Sequence, residues 1–559
     1  MRTNLSIKKL INNNRVPFFL LKEILKNSIV FIIFSFLNVF LPIFICLISA
    51  NLDVHGAYAA MGIGYVTSFL LAYSQIGFTF VIFSTYYVIQ NKKNNKLYPN
   101  NANHLIYDQL FIALIYGLII LPLFIGPAYL YTKHANAHIN TIDSLEPAYN
   151  MIYSSSGFVF LTTIASTLIM NLYYKLNSKW VIFHICLMFG MMFLFSAILS
   201  LYTPLKSIGL GLGLSIGTLI SCLCSFIHNY FVTDTFKKNK ININKTNILK
   251  LISYTWRPIL ISLSIQIFKG GALLLINYET PTDLTNVVPL NYQMSRIIWY
   301  NMMYLIPFVT LGFADSIYFY FAINPEQKNN VQIQKSIGFL FIFASIVTIL
   351  ITVICSFLIN PLASEYVKNQ VASYDTETIK VNLLLVTKEQ IISIIKNNSE
   401  LTELQKQEII NILNTQIIDG ITLNDFIARF ISNNFLIQDY IGLNANSVTN
   451  LMNFPNSFAY FYLGIYCIFY PLGQLLNAAR LSISSEKHPA ILMVFAQGLA
   501  ILFIVLFGIG YQKSEKFFLM EAWSFPLAII GIIAFLYMGT MYFLKLKTAK
   551  ELKINKNNL

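Results

Sequence analysis

TDTFKKNKININKTNILKLI (233–252) is a polar stretch with five lysines, set between two long apolar regions. A charge at the centre of a bilayer costs on the order of 3 kcal/mol, so Lys237, Lys238, Lys240, Lys245 and Lys250 belong outside the membrane. A transmembrane helix needs about 20 mostly apolar residues. Working outward from 233–252, six such windows precede it, near 28–50, 61–89, 106–131, 150–173, 180–201 and 207–232. Six follow it, near 256–277, 293–321, 336–360, 456–477, 489–511 and 523–544. The fold class expected is therefore an all-α membrane protein, with twelve transmembrane helices in two six-helix lobes.

Loop charge orients the bundle. With both termini inside, the inner segments carry 25 Lys and Arg, against four in the short outer loops: Lys133, Lys206, Lys513 and Lys516. That is a strong positive-inside bias, and one missed helix would scramble it. The reading is a multi-pass protein of the plasma membrane with both termini cytoplasmic. Each lobe begins and ends inside, so any repeat between them is parallel, about an axis along the membrane normal. The hairpins NLYYKLNSKW (171–180) and NAARLSISSEKHP (477–489) correspond weakly.

Composition excludes other classes. Of 559 residues, 56% are hydrophobic and 11% charged; soluble chains carry about 25% charged residues. Mean hydropathy is +0.62. A cytosolic enzyme and a disordered chain are both ruled out. The net charge of +14 comes from residues scattered through short loops, not a nucleic-acid footprint. The six cysteines, Cys46, Cys186, Cys222, Cys224, Cys355 and Cys467, all lie in apolar runs and read as small buried hydrophobes. No GxxxxGK[ST] phosphate loop, metal-ligand cluster or Ser-His-Asp set is visible, so neither an enzyme nor a cofactor is expected. The basic N-terminus precedes an apolar run longer than that of a signal peptide, and reads as a retained first helix.

The organisation expected is an N-terminal lobe at 1–232, a linker at 233–252 and the first part of a C-terminal lobe at 253–360. An extracellular insertion at 361–455, the rest of that lobe at 456–546 and a basic tail at 547–559 complete it. Within the insertion, TKEQIISIIKNNSELTELQKQEIINILNTQI (387–417) places isoleucines at helical spacing behind an N-cap at Thr387. A third short helix would follow Asn424. The insertion reads as a small helical domain.

Several stretches together resemble the multidrug and toxic compound extrusion (MATE) transporters. HGAYAAMGIGYVTSFLLAYSQIGFTFVIFSTYYV (55–88) is similar to the family's second helix, and SIGLGLGLSIGTLIS (207–221) to its glycine-rich sixth. WRPILISLSIQ (256–266) resembles the start of the seventh, FADSIYFYFAINPEQKN (313–329) the end of the eighth, and SSEKHP (484–489) a turn of the form G-D-T-x-x-P. The resemblance covers nearly the whole chain except 361–455. It implies a place in the multidrug/oligosaccharidyl-lipid/polysaccharide exporter superfamily, alternating access, and H+ or Na+ as a coupling ion. The chain departs from the family where many members carry acids. The position late in the first helix falls near Cys46, the seventh-helix position at Gln266, and 456–477 contains no acid.

Polar residues inside the spans are the site candidates. Lys269 lies about 13 residues into the seventh span, roughly 20 Å from its inner end. It reads either as a cation in a central cavity or as a side chain snorkelling outward. Gly270 and Gly271 follow it, and either loosen the helix or allow close packing. Arg296 is a second cation, beside the interfacial Trp299 and Tyr300. Asp315, near the inner end of the eighth span, could carry a proton or pair with a basic loop residue. His184 and His228 suit proton relays, or bond within the packing. Asn38, Gln75, Gln266 and Gln474 could line a cavity or join neighbouring helices; Gln266 is favoured for the cavity by its aligned position.

Three functions compete. The first is a cation-coupled antiporter exporting organic or xenobiotic compounds. The second is a flippase for anionic lipid-linked molecules, for which Lys269 and Arg296 would pair with phosphates. The third is a receptor acting through 361–455. The partners expected are the bilayer and a small organic or lipid substrate, with no nucleic acid, and the chain is expected to be a monomer.

Overall fold

In hydrocarbon every backbone N–H and C=O must be bonded within its own segment, which makes the helix the default for apolar runs of this length. The computed structural model describes residues 18–50, 52, 57–94, 99–135, 146–173, 178–232, 236, 243–278, 301, 305–323 and 331–372. It also describes residues 396, 403, 407, 410–411, 465–466, 468–473, 475–476, 528–529, 531–533, 535–540 and 542–544. Ten helices are continuous in this set: α1 (Phe18–Ala50), α2 (Ala57–Asn94), α3 (Pro99–Ala135), α4 (Glu146–Ser154), α5 (Ser156–Tyr173), α6 (Ser178–Leu201), α7 (Lys206–Phe231), α8 (Lys245–Tyr278), α9 (Phe308–Ile323) and α10 (Val331–Ala372). Among the described residues there is no strand, and seven stretches are long and apolar enough to cross a membrane.

The helices occupy expected spans one to nine, and short helical pieces fall in spans ten and twelve. The eleventh expected span, 489–511, lies outside the described residues, as does most of the insertion. Within the insertion Lys396, Glu403, Gln407, Ile410 and Asn411 are helical.

Four features differ from the sequence reading. The fourth span is two helices, α4 and α5, meeting at Ser155. The Ser215 hydroxyl of α7 is inserted there, accepting from the Phe158 N–H (3.1 Å) and donating to the Ser154 carbonyl (2.8 Å). Those two backbone groups would otherwise bond to each other as i and i−4, and a side chain entering that ladder breaks a helix. Second, α8 begins at Lys245, inside the expected linker, because Asn244 caps it: its Oδ1 accepts the Thr246 N–H at 2.9 Å. Third, α10 runs on to Ala372, twelve residues past the expected end at 360. Its 42 residues make it about 63 Å long at 1.5 Å per residue, far beyond a hydrocarbon core of about 30 Å. Fourth, Cys186 is exposed and Cys222 and Cys224 are half-buried, where all were expected to be buried. Cys186 shares the outer face of α6 with Trp180, Phe183 and Leu194, an apolar face turned to the surroundings of the bundle.

α7 is packed on both sides. Gly209, Gly213 and Gly217 lie one turn apart, and a methyl on any of them would overlap the α6 backbone at Leu199–Ser200, Phe195–Ser196 or Met191–Met192. This small-residue spacing lets two membrane helices meet backbone to backbone. On the opposite side Gly211 lies against the Ser154–Ser155 break. α3 holds its own irregularity. Pro127 has no N–H for the Leu123 carbonyl, and the Tyr73 hydroxyl of α2 donates to that carbonyl instead.

Two hydrophobic cores result. One joins α1 to α7 and takes in Leu251 of α8 and Phe319 of α9, with Phe34 stacked on Phe78 at 3.6 Å and edge-on to Phe189. The other joins α9, α10 and the pieces near 470 and 540, through Phe313, Ile317, Leu340, Leu475 and Met538. The large side chains of α10 that are not in this core, among them Phe339, Ile342, Ile346, Ile349 and Leu350, are exposed, as lipid-facing residues are.

Candidate translocation cleft

The two cores meet along a seam in which α1 packs on α9 and α2 packs on α8 and α9. Three kinds of contact cross it. The first is close backbone approach: Gly312 of α9 lies against Ile32 of α1, where an added Cβ would come within 2.8 Å of the Ile32 Cα. The second is aromatic. Phe31 meets Phe319 at 5.7 Å, Tyr86 meets Phe319 at 6.0 Å, Phe36 meets Phe308 at 5.2 Å and Tyr87 meets Tyr254 at 5.3 Å.

The third kind is polar. The Thr79 hydroxyl and the Ser262 hydroxyl on α8 lie within hydrogen-bond distance at 3.1 Å, and the Tyr86 hydroxyl donates to the Asp315 carbonyl on α9 at 2.5 Å. Thr79 and Tyr86 are seven residues apart, two turns on one face of α2. Further along the same end, the buried Asp108 carboxylate of α3 accepts the Asn244 N–H at 2.9 Å, at the cap of α8. The Tyr107 hydroxyl donates to the Phe236 carbonyl in the linker at 3.3 Å. The contacts of Tyr86, Asp108 and Tyr107 gather toward the end of the bundle where α6 and α8 start with Lys179 and Lys245 and α2 finishes with Lys92 and Lys93, whereas Thr79 and Ser262 meet about two turns deeper.

The sequence-derived candidates fall in different places. Asp315 is at the seam, its side chain half-buried and its carbonyl engaged by Tyr86. Asn38 is buried in α1 beside α2, and its Oδ1 accepts from Ser74 at 3.1 Å. Asn38 Nδ2 is buried without a partner, and Pro42 gives no N–H for the Asn38 carbonyl. Gln75 is half-buried on α2, its carbonyl accepting from Thr79 at 2.9 Å. His184 is not at the seam; it lies inside the N-terminal lobe between α6 and α7, against His228 and Ser225. Gln266 and Lys269 are on α8, which stays helical through Gly270 and Gly271; their side chains lie outside the described set. Arg296 and Gln474 also lie outside the described residues.

Sequence reasoning missed Thr79, Tyr86, Ser262 and Asp108. The first three are common neutral residues with no signature of their own. Asp108 did carry a signal, an acid three residues into a span that begins near Leu105. Among the described residues no group of three or more metal-ligating side chains is present.

No protein-family model matches the sequence, and no curated protein matches it. Solved structures do match. An inward-facing conformation of a multidrug resistance MATE family transporter of the MOP superfamily superposes with a TM-score of 0.56 at 10% identity, covering 92% of this chain and 99% of the other. An outward-facing conformation of such a transporter gives 0.52 at 11% identity, over 95% and 97%. A MOP superfamily transporter from Pyrococcus furiosus, described as having a binding pocket of reverse polarity that suggests a different function, gives 0.55 at 11% identity, over 95% and 97%. At such identities it is the architecture that is shared, along nearly the full length of each chain: the protein has the MATE transporter fold.

Proposed function

We propose that the chain is a secondary active transporter that moves small organic compounds across the membrane by alternating access, in antiport against H+ or Na+. The observation that carries this reading is the make-up of the seam. Two cores meet across it through the close approach at Gly312, aromatic pairs and single hydrogen bonds. Interhelical hydrogen bonds in membranes average about 0.6 kcal/mol, so such a set can break and re-form in each cycle. Asp315 is the candidate proton carrier, because it sits where the seam opens and closes. The fold's likeness to transporters supports the reading from a second side.

A second reading is a flippase for anionic lipid-linked molecules. It is favoured by Lys269 on α8, in a span that carries no acid. Inside-out vesicles with an imposed pH or Na+ gradient separate the two. Ethidium serves as the organic cation and a fluorescent lipid-linked diphosphate sugar as the anion. The exporter reading expects gradient-driven ethidium uptake that Asp315→Asn reduces more than it reduces ethidium binding. The flippase reading expects lipid translocation that Lys269→Gln impairs. Movement of neither probe under either gradient overturns the transporter reading for these substrate classes.

A further inference from the structure

We propose that His184 and His228 form a proton-binding site inside the N-terminal lobe, with His228 receiving the proton and His184 holding it in place. This goes beyond transport and does not depend on it. The two imidazoles come from α6 and α7, with His184 Nε2 3.3 Å from His228 Nδ1. Their ring planes are nearly perpendicular, 84° apart with centroids at 5.1 Å. On its other side His184 Nδ1 is 3.2 Å from Ser225 Oγ. His184 is 2% exposed and His228 8%.

The nitrogen count decides what the cluster can do. Each neutral imidazole has one N–H and one lone pair. Let His184 Nδ1–H donate to Ser225 Oγ, and let His184 Nε2 accept from His228 Nδ1–H. The remaining lone pair is then on His228 Nε2, on the less buried ring. A proton taken from water forms a bond to that lone pair and makes His228 an imidazolium. Its Nδ1–H then donates a charge-assisted bond to His184 Nε2, stronger than the neutral one it replaces. No other bond in the Ser225–His184–His228 chain need change.

Among the described residues no hydrogen bond or ring contact joins a Lys, Arg, Asp or Glu side chain to either imidazole. Other titratable residues on these helices and on those packed against them are Lys179 and Cys186 on α6, Lys206, Cys222, Cys224 and Tyr230 on α7, Tyr173 on α5, Glu146, Tyr149 and Tyr153 on α4, and Lys22, Glu23, Lys26 and Cys46 on α1. Among the described residues, the contacts of the two rings are with each other, Ser225, Trp180 and Phe183. Trp180 provides a built-in reporter: its indole meets the His228 ring at 4.6 Å, edge-on at 64°.

The test is a pH titration of the whole protein in lipid nanodiscs. Tryptophan fluorescence is followed from about pH 8 to pH 4, the range over which imidazoles take up protons. In parallel, histidine ring signals are followed by NMR with isotope-labelled histidine. A single protonation step that quenches Trp180 is expected. His228→Asn, which keeps a donor toward His184 but has no second nitrogen, should lose the step. His184→Gln, which keeps an acceptor toward His228, should retain it with a shifted midpoint. Trp180→Phe should lose the fluorescence step and keep the NMR one. Two imidazoles that stay neutral throughout in the wild-type protein overturn the proposal. So does a His228→Asn variant that titrates like the wild type.

Discussion

Tyr86→Phe removes one hydroxyl from the seam and little else. The ring keeps its places beside Phe83, at 5.5 Å, and Phe319, at 6.0 Å. What is lost is the bond to the Asp315 carbonyl, 2.5 Å long, between α2 and α9. That carbonyl belongs to a helix and keeps its backbone donor, so no buried group is orphaned by the change. The cost is then the net worth of one interhelical bond, about 0.6 kcal/mol on average in membranes and up to about 1.7. At about 1.4 kcal/mol per factor of ten, the balance between closed and open forms at the lysine-rich end should move toward open by about 3- to 16-fold. Spin labels at Lys179 on α6 and Lys250 on α8, both exposed, report the separation of the lobes there by pulsed electron resonance. The six native cysteines are first replaced. The wild type should show mainly the short distance, and Tyr86→Phe a larger share of the long one. Identical distance distributions for the two proteins would refute the idea that this bond holds the seam shut.

Three further outcomes follow from the packing. Gly213→Leu should destabilise the N-terminal lobe by about 1–3 kcal/mol or more, because its side chain would enter the α6 backbone at Phe195–Ser196; Gly126→Ala, where the space is open, should leave the melting temperature in detergent unchanged. Tyr73→Phe should cost about 1 kcal/mol in the wild type and less in a Pro127→Ala background, since residue 127 then supplies the N–H that Leu123 lacks; thermal unfolding of the four proteins gives the coupling. Asp108→Asn keeps an acceptor for the Asn244 N–H but exchanges a charged bond for a neutral one, so it should speed hydrogen exchange at the start of α8 and leave α6 and α7 unchanged.

The spans were legible because hydrocarbon imposes length and apolarity on every helix that crosses it. Windows drawn on that basis coincide closely with α6 and α7 and fall inside α1 and α3, which start ten and seven residues earlier. The glycines of 207–221 stood out in the sequence by resemblance, and in the structure three of them form a packing face, since close approach of helices demands small residues. Helix ends in water were not. Leu362 to Ala372 is too polar for a hydropathy window to extend the ninth span, yet it holds no proline or glycine to stop a helix, and α10 continues through it. The break at Ser155 was invisible, because the hydroxyl that causes it is Ser215, far along the chain. His184 and His228 each stood out as polar in an apolar helix, but nothing in a separation of 44 residues pairs them. The seam depends on which residues of α2 meet α8 and α9, and that is fixed by tertiary packing, not by local pattern.

The most direct test of the account is to lock the seam. Thr79 and Ser262 place their hydroxyl oxygens 3.1 Å apart across it, so Thr79→Cys with Ser262→Cys, in a background without the native cysteines, puts two thiols within reach of a disulfide after side-chain rotation. Gradient-driven flux of whichever probe the wild type moves is then measured in proteoliposomes, first oxidised and then reduced. The account predicts that flux stops when the disulfide forms and returns when it is reduced, because the lobes must part there in every cycle. A fully oxidised protein that transports at the reduced rate would contradict it.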